Sequence, residues 1–165
     1  MATTESLVGD LGSRGIMLAT AESLTGGDLG ALITAIPGAS KTYLGGVVSY
    51  ATEVKVDVLG VDQETVDTVG VVSEQCAKEM AAGVRDLLKA DIGLSTTGVA
   101  GPMPQEDKPV GLAYVGVAHG DDVRVKEVNA EGSRWDIRRA VVSAAMDLLA
   151  ETVEGIAEQQ VGFQE

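Results

Sequence analysis

The sequence predicts an α/β protein, a three-layer α/β/α sandwich around a mixed, mostly parallel sheet of about five strands. Three observations carry that expectation. Short apolar runs of strand length alternate with stretches whose apolar residues recur every three or four positions, the pattern of strands interleaved with helices. Two of the strands lead through small-residue turns directly into helical periodicity, as parallel strand-helix units do. The last two strands meet across His119-Gly120-Asp121-Asp122, a hairpin connection that makes part of the sheet antiparallel.

The elements follow in order. Leu7, Val8 and Leu11 fit one face of a short leading helix over residues 5 to 12. Gly15-Ile16-Met17-Leu18-Ala19 reads as the first strand, and Leu29, Leu32, Ile33 and Ile36 then mark a helix that Pro37-Gly38 ends. Val47-Val48-Ser49-Tyr50 is a second strand after Gly45-Gly46, and Thr52 with Glu53 supplies a start for a short helix through Val58. Ser73 caps a longer helix carrying Cys76, Met80, Val84 and Leu87, with Lys89 in its last turn. Three strands follow, Ile92 to Thr97, Val110 to Ala118 and Val123 to Val128. Ser133-Arg134-Trp135-Asp136 matches a capping box, and Ile137, Val141, Ala144 and Leu148 carry the final helix to about residue 153.

The 165 residues suit one domain, 1–165, without repeat or linker. Hydrophobic residues are 45% of the chain but aromatics only 3%, so the core is built from Val, Leu, Ile, Ala and Met. A net charge of -13 repels phosphate backbones and anionic membranes, which argues against nucleic-acid and membrane partners. Nothing approaches the roughly 18 consecutive apolar residues of a membrane span. The single cysteine, Cys76, and the lack of a secretory pattern point to the cytoplasm. No His, Cys, Asp and Glu cluster has metal-ligand spacing, so no metal is expected. Small-residue helices leave room for a homo-oligomer.

Ser23 falls between a strand end and a helix start, where unpaired N–H groups and the positive dipole end suit a developing oxyanion. Ser23 or Thr25 serving only as a helix cap explains the same position. The turn is neither a Gly-x-Ser-x-Gly elbow nor, with Gly26-Gly27, a dinucleotide fingerprint. The only histidine, His119, lies in the hairpin, so a lysine is the remaining base for a serine nucleophile. Lys55, in the first turn of a helix capped by Thr52, meets a dipole that favours its neutral amine, although an ordinary solvated lysine fits too. Tyr50 can orient that amine or bind substrate, or be a half-buried strand residue. Ser95 to Gly101, containing Thr97 and Gly98, leaves a strand into a small-residue loop that suits either a pocket wall or a tight turn before Pro102. Arg134 and Arg138 share a helix face and can grip a phosphate, or pair with Glu131 and Asp136. Glu106-Asp107 reads as solvated surface.

Ala21-Glu22-Ser23-Leu24-Thr25-Gly26-Gly27, Gly45-Gly46-Val47-Val48-Ser49-Tyr50, Lys55, Leu59-Gly60-Val61, Val72-Ser73, Thr97-Gly98-Val99-Ala100-Gly101-Pro102 and Lys108-Pro109-Val110-Gly111, in that order, resemble the CinA C-terminal domain over nearly the whole chain. The resemblance implies a nicotinamide-nucleotide amidase that hydrolyses the carboxamide of nicotinamide mononucleotide to nicotinic acid mononucleotide and ammonia, without cofactor or metal. It implies Ser23 as nucleophile, Lys55 as base, and Tyr50 and Thr97 beside them, with Thr25, Gly26, Gly98, Arg134 and Arg138 as further substrate contacts. The chain departs from the family at Leu24, commonly cysteine there, near Thr52, commonly asparagine, and at Met103-Pro104-Gln105, where the family has a glycine-rich loop. Bulk at that loop motivates two rival expectations: a non-catalytic nucleotide-binding or interaction module, and an amidase for a different small amide. The family also occurs behind a larger N-terminal domain, and this chain is expected to be a stand-alone version.

Overall fold

The computed structural model describes residues 2–162. Its elements are α1 (Thr4–Ser13), β1 (Leu18–Glu22), α2 (Asp28–Thr34), β2 (Tyr43–Val48), α3 (Thr52–Asp57), α4 (Gln63–Thr68), α5 (Glu74–Leu88), β3 (Ile92–Gly98), β4 (Leu112–His119), β5 (Asp122–Asn129) and α6 (Arg134–Gly162). The sheet runs β2-β1-β3-β4-β5. β1 pairs parallel with β2 and with β3, and β4 pairs antiparallel with β3 and with β5, so four of the five strands share one direction. The expected mixed, mostly parallel five-stranded sheet is therefore present.

Two cores flank the sheet. One packs Leu7, Leu11, Leu29, Ile33, Val141 and Leu149 of α1, α2 and α6 against Leu18, Leu94, Val115 and Val117. The other packs Cys76, Met80 and Val84 of α5 against Ala19 and Ala21. α5 presses so close that a Cβ on Gly93 would lie 2.0 Å from the Ala81 carbonyl oxygen, and one on Gly116 would lie 2.7 Å from that of Ala77. Only glycine lets helix and sheet approach to this separation. Ser95 on the same face donates to the Ala77 carbonyl at 2.7 Å.

Several boundaries differ from the sequence expectation. β1 lies three residues later than 15–19, because Met17 and Asp91 are tied together and the ladder to β3 starts at Leu18. β2 begins at Tyr43 rather than Val47: Gly45 and Gly46 lie inside the strand, with a register shift against β1 between Leu18 and Ala19. α4 was not expected; Asp62 caps it through the Glu64 N–H. α6 runs on past residue 153 to Gly162. The hairpin through Gly120-Asp121 and the reciprocal Ser133–Asp136 capping box are as expected. Among the described residues, no helix is long and apolar enough to cross a membrane.

Candidate active site

Ser23 follows β1 directly and opens the turn that leads into α2. Both glycines of that turn, Gly26 and Gly27, take positive φ, +60° and +107°, which L side chains rarely adopt. Neither Ser23 nor Thr25 caps α2. Its N-cap is Gly27, without a side-chain bond, and the capping is done by Glu22 from the end of β1. The Glu22 carboxylate, 3% exposed, accepts from the Leu29 N–H at 2.9 Å, the Gly30 N–H at 3.1 Å and the Thr25 hydroxyl at 2.6 Å. A buried anion at a helix N-terminus is a favourable arrangement. It also removes the capping explanation for Ser23.

Lys55 lies on α3 and is 1% exposed. Its Nζ is 2.9 Å from Ser23 Oγ and also faces the Ser49 carbonyl at 2.6 Å and the Tyr50 carbonyl at 3.3 Å. Carbonyl oxygens carry no proton, so both must accept N–H from the amine. A neutral amine has two N–H donors and one lone pair, and that inventory matches two carbonyls and one serine hydroxyl. Burial lowers the Lys55 pKa from its ordinary 10.5, with Cys76 and Glu106 opposing. The Cys76 thiol is pushed up to about 12 by burial, so near neutrality it is uncharged and its opposition lapses. The dipole explanation gives way to burial: α3 is only six residues long, capped by Ala51 and not Thr52, and Lys55 falls in its last turn, where the dipole does not favour the neutral amine.

A cleft of about 190 Å³ opens over this pair, lined by Leu24, Tyr50, Thr97, Gly98, Met103 and Arg134 among others. Thr97 donates to the Val71 carbonyl at 2.7 Å and so holds the opposite wall. Arg134 donates to the Gly101 carbonyl and, at 3.1 Å, to the Tyr50 hydroxyl, which brings the start of α6 to the mouth of the cleft.

Three expected substrate contacts lie elsewhere. Thr25 is fully buried, with its hydroxyl 2.8 Å from that of Thr96. Gly26 is outside the cleft, where a Cβ would meet the Arg138 guanidinium at 3.3 Å. Arg138 itself is spent on the turn: it donates to the Leu24 and Thr25 carbonyls at 3.0 and 3.1 Å and pairs with Asp28 at 2.9 Å. It clamps the Ser23 turn instead of facing a ligand, and pairs with neither Glu131 nor Asp136.

Glu106 is likewise not mere solvated surface. It accepts from the Val71 and Val72 N–H groups at 3.0 and 2.8 Å, while Lys108 donates to the Val69 carbonyl at 2.7 Å and to that of Val72. Glu106 and Asp107 have φ of 53° and 59° in a turn closed by Gln105 and Lys108. This turn staples the Met103–Gln105 loop to the wall of the cleft. Sequence reading missed Glu22 and Glu106; a lone carboxylate ending an apolar strand was the available signal for the first, and none existed for the second. His119 pairs with Ile92, at the end of β3 remote from Gly98.

A family model described as "CinA C-terminal domain" matches residues 1–153. The chain belongs to the CinA C-terminal domain family. It is 47% identical over 155 residues to a CinA-like protein of Frankia casuarinae, covering 94% of this chain and 36% of that one. It is 50% identical over 146 residues to a putative competence-damage inducible protein of Caldanaerobacter subterraneus subsp. tengcongensis, covering 88% and 35%. The chain thus spans about a third of the length of these CinA relatives. Among solved structures it is similar to the competence damage-inducible protein A from Klebsiella pneumoniae, with a TM-score of 0.87, 33% identity and coverage of 93% and 98%. It is also similar to the competence/damage inducible protein CihA from Agrobacterium tumefaciens, with a TM-score of 0.85, 34% identity and coverage of 92% and 98%.

Proposed function

We propose that this CinA-family chain is an amidase that hydrolyses the carboxamide of nicotinamide mononucleotide, by a Ser-Lys mechanism. The observation that carries the reading is the buried Lys55 amine 2.9 Å from the Ser23 hydroxyl, with its two other contacts both carbonyls. Neutral Lys55 takes the Ser23 proton as Oγ attacks the carboxamide carbon. Among the described residues the Leu24 N–H donates to no protein acceptor, and we assign it to the oxyanion. Lys55 then passes its proton to the departing ammonia, and water activated by the same amine cleaves the acyl-enzyme to the acid. The Ser23 proton leaves with the ammonia, and Lys55 returns to Ser23 a proton taken from the water, so the dyad is restored. Arg134, held by Gly101 and Tyr50 at the mouth of the cleft, has further N–H donors for the substrate phosphate.

Ammonia release from nicotinamide mononucleotide tests this. Ser23→Ala and Lys55→Met should each reduce it by at least about a thousand-fold. Undiminished turnover in either variant would sink the dyad. The exposed Met103 at the cleft wall favours one alternative, a different small amide as substrate. Turnover of other pyridine or ureido amides in preference to nicotinamide mononucleotide would select that reading, and calorimetric nucleotide binding without any turnover would select a binding module.

A further inference from the structure

Two arginines stand four residues apart on α6 and meet the site at different places. Arg134 reaches the mouth of the cleft, whereas Arg138 lies on the carbonyls of the Ser23 turn. Three kinds of contact hold the Arg138 guanidinium. Its Nε and Nη2 donate to the Leu24 and Thr25 carbonyls at 3.0 and 3.1 Å, Nη2 pairs with Asp28 at 2.9 Å, and the Trp135 ring centre lies 5.5 Å away. Gly26, with φ of +60°, leaves the space for this: a Cβ there would press on Nη2 at 3.3 Å.

Those carbonyls belong to the two residues that follow the proposed nucleophile. In a planar trans peptide the N–H points opposite to the carbonyl it is joined to. The Ser23 carbonyl accepts from the Gly26 N–H at 3.1 Å, which sets the direction of the Leu24 N–H from one side. On the other side of Leu24, Arg138 is the one donor to its carbonyl among the described residues. The Leu24 N–H is therefore flanked by two tethered carbonyls, one tied within the turn and one tied to α6, 114 residues along the chain.

We infer that Arg138 is a positioning residue for the reaction: by gripping the Leu24 and Thr25 carbonyls it keeps the Leu24 N–H aimed at the oxyanion. The inference rests on the amidase reading given above. An oxyanion donor is effective when it is in place before charge develops, so the turn must be held in one orientation. A guanidinium suits that task, because its rigid planar fork serves both carbonyls and the Asp28 carboxylate together and stays charged at every working pH. A lysine ammonium matches the charge but is a single point without the fork.

The kinetic signature separates positioning from contact with substrate. Arg138→Ala should lower kcat for nicotinamide mononucleotide at least about tenfold, within the 10²–10³ that one oxyanion donor supplies, with KM held within about twofold. Arg134→Ala, which removes the donor assigned to the phosphate, should instead raise KM. Millimolar guanidinium chloride should restore most of the lost kcat to Arg138→Ala, where equal sodium chloride does not. Arg138→Lys keeps a cation beside Asp28 and carries the test if the alanine variant does not fold; it should lose kcat in the same way, without rescue, because the ammonium fills the site. The exposed neighbour Arg139→Ala is the control and should change neither constant. Raised KM at unchanged kcat in the Arg138 variants, full kcat in Arg138→Lys, or a loss in folded Arg138→Ala that guanidinium leaves untouched overturns the inference. Should the unaltered protein release no ammonia from nicotinamide mononucleotide, the substrate reading fails, and 3-pyridylboronic acid tests Arg138 separately. Ser23 Oγ adds to boron, its proton passes to Lys55, and a boronate oxygen takes the oxyanion's place. Affinity for this probe should fall at least about tenfold in Arg138→Lys. Equal affinity in the two proteins, or no adduct in the unaltered one, overturns the inference as well.

Discussion

At the residue scale, Lys55 makes a claim that can be checked by pH. Burial lowers its pKa below 10.5, so the folded protein releases a proton that the unfolded chain still holds. The unfolded state then binds more protons between the two pKa values, and stability rises with pH through that window. Wild type should therefore gain thermal stability relative to Lys55→Met as pH is raised from the lowered folded-state pKa toward 10.5, and kcat/KM should rise with pH through that folded-state pKa and level off above it, where the amine is already neutral. A stability difference that is flat in pH would show that Lys55 is not buried as an amine. Glu22 acts beside it. Glu22→Gln keeps one acceptor oxygen and loses the other beneath Leu29 and Gly30, a change expected to cost about 1–3 kcal/mol in chemical denaturation and to loosen the turn that presents Ser23. A loss below about 0.5 kcal/mol would contradict that role. Sequence reading reached Ser23 and Lys55 through the resemblance, since the residues alone left Ser23 divided between cap and nucleophile. What resolves the division is Glu22, whose capping depends on a reach of seven and eight residues along the chain that no local motif encodes.

At the scale of elements, the strongly periodic α5 and the hairpin between β4 and β5 were legible because each is decided by neighbours within a few residues. β2 was cut short because its glycines read as a break; strand pairing with β1 overrides their weak propensity, at the cost of a register shift. α4, with only Thr65 buried, has too little apolar face to announce itself. Arg138 shows the same limit: its i to i+4 relation with Arg134 is visible, but its partners Leu24, Thr25 and Asp28 lie more than a hundred residues away. Close packing of α5 on the sheet was not legible either, and it yields a firm expectation. Gly93→Ala would set a methyl group 2.0 Å from the Ala81 carbonyl, so α5 must shift. The variant should lose about 1–3 kcal/mol in urea unfolding. Gly9, exposed on α1 with nothing within 4 Å of its Cβ position, is the control: Gly9→Ala should be stabilising or neutral. Equal effects at the two glycines would mean that helix and sheet are not in contact at Gly93.

For the whole molecule, the balance of charge decides how salt acts. The chain carries 25 acidic against 12 basic residues, and its ion pairs are mostly exposed, such as Lys78–Glu74 at 3.4 Å and Lys126–Glu151 at 2.9 Å. Each such pair contributes about 0–1 kcal/mol, and salt weakens it. Opposing this is the mutual repulsion of the surplus carboxylates, which folding concentrates on a compact surface and which salt also weakens, over a screening distance of about 10 Å at 0.1 M. Because the carboxylates outnumber the cations two to one, more repulsion is screened than attraction. The buried contacts of Glu22 and Lys55 lie out of reach of the ions. Added sodium chloride should therefore raise Tm, where a chain of balanced charge would respond little. The response should shrink as pH falls toward the sequence pI of about 4.3, because the surplus negative charge is then titrated away. A Tm that falls with sodium chloride at neutral pH, or a rise just as large near pH 4.3, would show that net repulsion does not govern the stability of this fold.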